Sequence, residues 1–187
     1  MPEERRWTWE DIVHLPEQER PEIIDGKPYY RAAARKRHGN AAGRLFARLE
    51  PLESRTQQSG WWISIEADVQ LGQQILRPDL AGWRKERMPE LTDEWPTLII
   101  PDWVCEILSP TTARYDRGTK GEVYAQAGIP WYWLVDPQER MVEVWELTGT
   151  RWTLHGCFGD DQTLALPPFD GLEFEVGQLF GQAPTAP

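Results

Sequence analysis

The clearest alternation of apolar and polar residues lies in residues 62–71. Every second position there is apolar, which predicts a strand with one buried face made by Ile63, Ile65, Ala67, Val69 and Leu71. Gly72 and Gln73 then turn the chain, and residues 75–83 are predicted to return as a second strand. Residues 103–108 are nearly all apolar, which is typical of a central strand covered on both faces.

Helical spacing of apolar residues is strongest in residues 38–52. The predicted apolar face consists of Ala41, Ala42, Leu45, Phe46, Leu49 and Leu52. Thr8 and Asp11 have the spacing of a capping box, which predicts a short helix over residues 9–14. A further helix is predicted over residues 113–127, where Gly118 and Gly121 lower the helical propensity.

The remaining segments complete a mixed α/β pattern. Asp25-Gly26 favours a tight turn, so the flanking residues 22–30 are predicted to form a hairpin. Three more strands are predicted, over residues 131–135, 141–147 and 151–158. We therefore expect one domain over residues 1–187, with a core of about residues 8–180, a central mixed sheet flanked by helices, and a disordered tail at residues 182–187.

Length and composition are those of a single soluble domain. The 187 residues are enough for one real core. No apolar run approaches the roughly 18 residues that a membrane helix needs, and the charged first ten residues lack an apolar signal segment. These features predict a cytoplasmic protein without a membrane partner. Cys105 lies inside an apolar strand and is expected to be a small buried residue.

Charge is distributed unevenly along an acidic chain. The formal net charge is −10, which counts against nucleic-acid binding through phosphate contacts. Between Asp25 and Glu50, however, no acidic residue occurs and seven basic ones do: Lys27, Arg31, Arg35, Lys36, Arg37, Arg44 and Arg48. A solvated face and a phosphate-binding patch both explain this pattern.

Two carboxylates fall on strands predicted to be neighbours, Asp79 and Glu106. A charge inside an apolar strand is costly unless it is compensated. A divalent metal shared by both carboxylates would compensate it, and oxygen ligands suit Mg²⁺. The alternative is that Glu106 is paired with a Lys or Arg. Asp102 shares a face with Glu106 but lies roughly 13 Å away along a regular strand, so it is expected to cap the strand start.

Several other side chains are candidates for the same site. Lys120 shares a helix face with Asp116 and Tyr124, and could act on a water molecule or a phosphate, or form only a salt bridge to Asp116. Glu22 is a weaker candidate acid, with an exposed strand-edge position as its alternative. His38 opens the basic helix and could contact phosphate or help in proton transfer, although a lone histidine is more often structural.

The order Pro78-Asp79, then Glu106, resembles the PD-(D/E)XK nuclease superfamily, and more narrowly the Uma-type family of restriction endonucleases. The resemblance covers nearly the whole chain, and its most specific part is residues 101–137. It implies a restriction-endonuclease-like fold, with Asp79 and Glu106 as the first and second acids. The superfamily pattern places a lysine two residues after the second acid, where this chain has Leu108, and the family resemblance transfers that lysine to Lys120.

Together these features lead to a specific hypothesis, a DNA endonuclease dependent on Mg²⁺ or Mn²⁺. Its predicted catalytic residues are Asp79, Glu106 and Lys120, with Glu22 as a further metal ligand. The predicted DNA contacts are His38, Arg37, Arg44 and Arg48. The alternative is a non-catalytic protein that keeps the nuclease fold and acts as a homodimeric interaction module.

Overall fold

The structure, a computed structural model, describes residues 5–31 and 36–181. The predicted tail at residues 182–187 lies outside this part. The strands in it are, in chain order, β1 (Glu22–Ile24), β2 (Lys27–Tyr29), β3 (Trp61–Ile65), β4 (Val69–Leu71), β5 (Gln74–Leu76), β6 (Leu80–Arg84), β7 (Trp103–Ile107), β8 (Trp131–Asp136), β9 (Met141–Thr148), β10 (Arg151–Gly159), β11 (Thr163–Ala165) and β12 (Glu173–Glu175). The helices are α1 (Trp9–Ile12), α2 (Lys36–Leu49), α3 (Ala113–Tyr115) and α4 (Gly121–Ala127).

A mixed six-stranded sheet forms the centre, in the order β10-β9-β8-β7-β6-β3. Neighbouring strands of this sheet are antiparallel except for β7 and β8. These two strands run parallel and are joined by the α3–α4 segment. Parallel neighbours need such a crossover connection. The expected central mixed sheet flanked by helices is therefore confirmed.

Alternate residues of β7 face two separate cores. Trp103, Cys105 and Ile107 pack with the apolar face of α2 and with the C-terminal segment around Val176. Val104, on the other face, packs with α4 and with a smaller sheet. Glu106 has the same parity as Val104, so its side chain points towards α4.

The smaller sheet has the order β2-β1-β5-β4, and it corrects the prediction of two long strands. Residues 62–71 do not form one strand, because β3 belongs to the central sheet and β4 to the smaller one. Residues 75–83 divide likewise into β5 and β6, so the chain passes from one sheet to the other twice.

The physical reason for the division lies at the bend after β3. Glu66 leaves the extended conformation there and adopts a left-handed backbone, with a φ of 51°. Just beyond it, the buried carboxylate of Asp68 accepts hydrogen bonds from Arg20 at 2.6 Å and from Arg77 at 2.8 Å. The alternation had placed Asp68 on a polar face, whereas these two arginines hold it inside the protein. Ile65, expected in the core, is 47% exposed.

The predicted helix over residues 113–127 is present but irregular. A π-helical segment, Asp116–Lys120, separates α3 from α4. Two main-chain carbonyls of this region accept side-chain hydrogen bonds, Asp116 from Tyr132 and Gly121 from Trp152. Single π-helical turns are often found at functional sites.

The other predicted elements are present in the structure, and their observed bounds differ from the predicted ones only at the ends. The hairpin of β1 and β2 forms with Asp25 and Gly26 in left-handed conformations, as an Asp-Gly turn requires. α1 ends at Ile12 rather than at His14, and α2 continues into a 3₁₀ turn, Glu50–Leu52. Cys105 is fully buried, as expected. Among the residues that the structure describes, no helix combines the length and apolarity needed to cross a bilayer.

Candidate active site

Asp79 and Glu106 lie next to each other at one end of the central sheet. β6 and β7 are antiparallel, with Leu80 opposite Cys105, and the same register places Asp79 opposite Glu106. The main-chain N–H of Ile107 donates a 2.7 Å hydrogen bond to Asp79 Oδ2 and fixes this arrangement. Both carboxylates are buried, with exposed fractions of 3% and 1%. The expected neighbouring position of the two acids is therefore present.

Asp79 is surrounded by donors and cations. Arg31 donates a 2.7 Å hydrogen bond to Oδ1, and His38 Nε2 lies 3.0 Å from Oδ2. Burial raises the pKa of the Asp79 carboxyl, but His38, Lys120 and Arg31 together lower it by more, so the pKa lies below its ordinary value. Asp79 is consequently a carboxylate, the form that binds metal ions.

Glu106 is held from the helical side. Lys120 and Tyr124 both donate hydrogen bonds to its Oε1, at 2.8 and 2.5 Å. Burial raises the pKa of Glu106 well above its ordinary value, and the nearby acids Asp79 and Asp116 add to the effect against the opposing charge of Lys120. A divalent cation at this site would act in the same direction as Lys120 and favour the ionised carboxylate, which is the form that binds metal ions.

Lys120 links Glu106 to two further acids. Its Nζ lies 3.0 Å from Glu22 Oε1 and 4.0 Å from Asp116 Oδ1. Burial lowers the pKa of Lys120, but the three carboxylates raise it by more, so the lysine keeps its charge. Burial also raises the pKa of Asp116, to about 6. The sequence allowed Lys120 to form only a salt bridge to Asp116. That salt bridge is present, but it is the longest of the three contacts that Lys120 makes with these acids.

Glu22 is part of this cluster and is not an exposed edge residue. Its Oε1 accepts a 2.9 Å hydrogen bond from the main-chain N–H of Arg77, and its Oε2 accepts one from Tyr115 at 3.1 Å. Tyr115 also stacks on Tyr29, with ring centroids 5.3 Å apart. The smaller sheet therefore brings its first strand to the same site as β6 and β7.

The charges and donor atoms of the cluster suit a divalent cation. Among the described residues, the acids Glu22, Asp79, Glu106 and Asp116 face two permanent cations, Lys120 and Arg31. Carboxylate oxygens are the ligands that Mg²⁺ and Mn²⁺ prefer. Within the same part of the chain, no three acidic, histidine or cysteine side chains form a ready-made metal cluster. The two adjacent acids could hold a metal once Arg31 releases Asp79.

α2 begins at this site, and the predicted DNA contacts lie along the helix. His38 reaches Asp79, whereas Arg37, Arg44 and Arg48 are exposed. At 100° per residue the three arginines lie within about 40° of one another around the helix axis. A groove of about 170 Å³ beside the helix is lined by His38, Gly39, Ala42, Gly43, Ile65, Glu66 and Asp79. Solvent thus reaches the site between α2 and the end of β3.

Asp102 lies apart from the site and caps the start of β7. Its carboxylate accepts hydrogen bonds from the main-chain N–H of Arg84 at 2.9 Å and from the Arg87 side chain at 2.6 Å. The structure agrees with the role expected for Asp102 from its spacing to Glu106. Asp102 is thus a buried aspartate directly before β7 with a structural role, whereas Glu106 on β7 belongs to the site.

Arg31 and Glu66 were not identified as site residues from the sequence. Arg31 Nη2 contacts Asp79 and also lies 3.5 Å from the Glu66 carboxylate. The position of Arg31 could have been predicted from the hairpin. The hairpin pairs Tyr29 with Glu22, and the residues that follow Tyr29 are therefore brought to the site. Glu66 has no comparable signal, because its position depends on the bend after β3.

Known proteins provide the context for this geometry. A family model named Uma2 and described as "Putative restriction endonuclease" matches residues 9–177. A crystal structure described as a "putative nuclease belonging to DUF820", from Anabaena variabilis ATCC 29413, has a TM-score of 0.74 and 23% identity, covering 92% of this chain and 97% of that one. At this identity the likeness shows the fold. No curated protein is similar enough to count as a match. The family model covers most of the chain, which therefore belongs to the Uma2 family of putative restriction endonucleases.

Proposed function

We propose that the protein is a metal-dependent endonuclease that hydrolyses phosphodiester bonds of DNA. The observation that carries this proposal is the pair of buried acids, Asp79 directly before β6 and Glu106 on the adjacent strand β7. Buried acids are rare without a compensating partner, and among the described residues of this site acids outnumber permanent cations. Family membership supports the same reaction class.

In this proposal Asp79 and Glu106 hold Mg²⁺ or Mn²⁺, with Glu22 as a weaker third candidate. A bound metal ion would polarise the phosphate and stabilise the leaving oxygen. Lys120 fixes the Glu106 and Glu22 carboxylates, at 2.8 and 3.0 Å, and adds positive charge where negative charge develops during hydrolysis. Tyr124 holds Glu106 through the same oxygen and keeps its carboxylate plane in place.

The exposed side of α2 is the proposed path of the DNA backbone. Arg37, Arg44 and Arg48 span about 16 Å of helix, and one DNA strand carries a phosphate about every 3.4 Å of helix axis. The path begins beside His38, whose imidazole reaches Asp79. A strand following the arginines would thus reach the two acids. The net charge of −10 makes this local basic surface necessary for binding.

Cleavage of supercoiled plasmid tests the proposal directly. The purified protein should nick the plasmid with Mg²⁺ or Mn²⁺ and lose this activity with EDTA. Glu106→Gln should abolish nicking, while Asp102→Asn, a change at a buried acid directly before the same strand, should retain it. Equal nicking by wild type and Glu106→Gln would show contamination and contradict the assignment.

One observation favours a second function, a non-catalytic protein with a nuclease fold that acts as a homodimer. Each acid already has cationic partners in the structure, Asp79 with Arg31 and Glu106 with Lys120. The buried charges can therefore persist without a metal. This alternative predicts no metal-dependent cleavage of DNA and a dimer at micromolar concentration in analytical ultracentrifugation. A monomer that cleaves DNA with Mg²⁺ would exclude it.

A further inference from the structure

We infer that Arg31 binds the scissile phosphate, exchanging its contact with Asp79 for a contact with a phosphate oxygen. This inference rests on the proposed endonuclease function and names a residue that contacts its substrate. Arg31 would be the cation on the solvent side of the site, whereas Lys120 is the cation on its inner side.

The position of Arg31 supports this assignment. Its guanidinium donates a 2.7 Å hydrogen bond to Asp79 Oδ1, and its side chain is 26% exposed where that of Asp79 is only 4% exposed. Arg31 therefore lies between the buried acid and solvent. A phosphate that approaches Asp79 from solvent meets this guanidinium.

Lys120 cannot take the same role in this arrangement. Its side chain is 3% exposed, and its Nζ is occupied by Glu106 at 2.8 Å and Glu22 at 3.0 Å. Moving it towards solvent would leave two buried carboxylates without their cation. Of these two cations, the one that can turn towards a substrate is the partly exposed Arg31.

The atoms around Asp79 explain how Arg31 becomes available. Oδ2 accepts the Ile107 N–H and lies beside His38, so Arg31 occupies the other oxygen, Oδ1. A divalent cation bound by Oδ1 would compete with Arg31 for that atom. The guanidinium would stay close by, since the Glu66 carboxylate lies 3.5 Å from Nη2 and is 43% exposed.

The chemistry of arginine suits a phosphate in this place. A guanidinium presents a planar set of N–H donors that can bond two phosphate oxygens at once. Its charge is permanent, and it can keep a bond to Glu66 through one edge while it offers another edge to the substrate. A lysine at this position would retain the charge but could not form the paired hydrogen bonds.

The test measures binding of a fluorescent DNA duplex by anisotropy in Ca²⁺, as a function of salt, and Mn²⁺ affinity by calorimetry. Arg31→Ala should weaken DNA binding about tenfold or more and reduce the salt slope by about one. It should also strengthen Mn²⁺ binding, because a competitor for Asp79 is removed. Arg87→Ala is the matched control, since Arg87 forms a 2.6 Å pair with the buried Asp102, away from the site.

The outcomes separate this inference from the proposed function. DNA affinity and salt slope that are the same for Arg31→Ala, Arg87→Ala and wild type would overturn the role of Arg31 and leave the endonuclease proposal standing. A wild-type protein that neither binds nor cleaves DNA would overturn both. If Arg31→Ala does not fold, Arg31→Lys decides: weakened DNA binding supports the inference, and wild-type binding contradicts it.

Discussion

Lys120 and Glu106 form a buried ion pair between the π-helical segment and the central sheet. The Nζ of Lys120 lies 2.8 Å from Glu106 Oε1, and neither side chain is more than 3% exposed. The pair joins residues 14 positions apart in sequence, one on β7 and one on the helical connection that follows it. Lys120, which we propose to act in the reaction, therefore also links the helical connection to the central sheet.

Lys120→Met should destabilise the protein by ~3–5 kcal/mol, because it leaves Glu106 and Glu22 buried without their cation. Urea unfolding at pH 7 measures the loss. Arg117→Met is the matched control: Arg117 pairs with Glu143 at 2.6 Å, but its side chain is 39% exposed, so less than about 1 kcal/mol is expected. Similar losses for the two variants would show that the buried pair contributes no more than an exposed one.

Asp116 should make the free energy of unfolding fall as the pH rises from about 4 to about 6. Its pKa is raised from 3.8 to about 6 in the folded protein, so over this range the folded state holds a proton that the unfolded state has lost. Asp116→Asn removes this proton binding. The free energy of unfolding of the variant should therefore rise relative to that of wild type as the pH rises, by ~1.4 kcal/mol for each pH unit that separates the folded and unfolded pKa values of Asp116.

The measurement for Asp116 is urea unfolding of both proteins at a series of pH values from 4 to 8. The difference in stability should grow up to about pH 6 and then stay constant. Asp170→Asn, which removes an exposed carboxylate, provides the control. A wild-type-minus-variant difference that does not change with pH would contradict the raised pKa of Asp116.

The α2 arginines should account for much of the salt dependence of DNA binding. Replacing Arg37, Arg44 and Arg48 together by Gln should reduce the slope of log K against log salt by about 0.9 for each phosphate that the variant no longer neutralises. Anisotropy titrations at several salt concentrations measure this slope. Arg151→Gln changes an exposed arginine on the edge strand β10 and should leave it unaltered. An unchanged slope in the triple variant would place the DNA elsewhere.

The adjacency of the two acids could be predicted from sequence because it depends on local features. Pro78-Asp79 precedes one apolar strand and Glu106 lies within the next one along the chain, so an antiparallel pairing brings the two side chains together. The apolar face of α2 follows from helical spacing alone, and Ala41, Leu45 and Leu49 are buried as predicted.

The contact of Arg31 with Asp79 and that of Glu22 with Lys120 could not be predicted, because they depend on contacts between distant segments. Glu22 reaches Lys120 only because the smaller sheet packs beside α3 and α4, and these residues are 98 positions apart in sequence. The bend after β3 could not be predicted for the same reason, since Asp68 beside it is held by contacts with distant residues. Asp68 looked like a surface residue in the alternating pattern, and its burial depends on Arg20, 48 positions earlier.

The most direct test of the central claim is calorimetric titration of Mn²⁺ into wild type, Asp79→Asn, Glu106→Gln and Asp102→Asn. A metal site shared by Asp79 and Glu106 predicts that wild type and Asp102→Asn bind Mn²⁺ with equal affinity and that the other two variants lose at least most of that affinity. Circular dichroism checks that each variant is folded. Absence of Mn²⁺ binding by folded wild type, or unchanged binding by Asp79→Asn and Glu106→Gln, would contradict the claim that these two acids form the metal site.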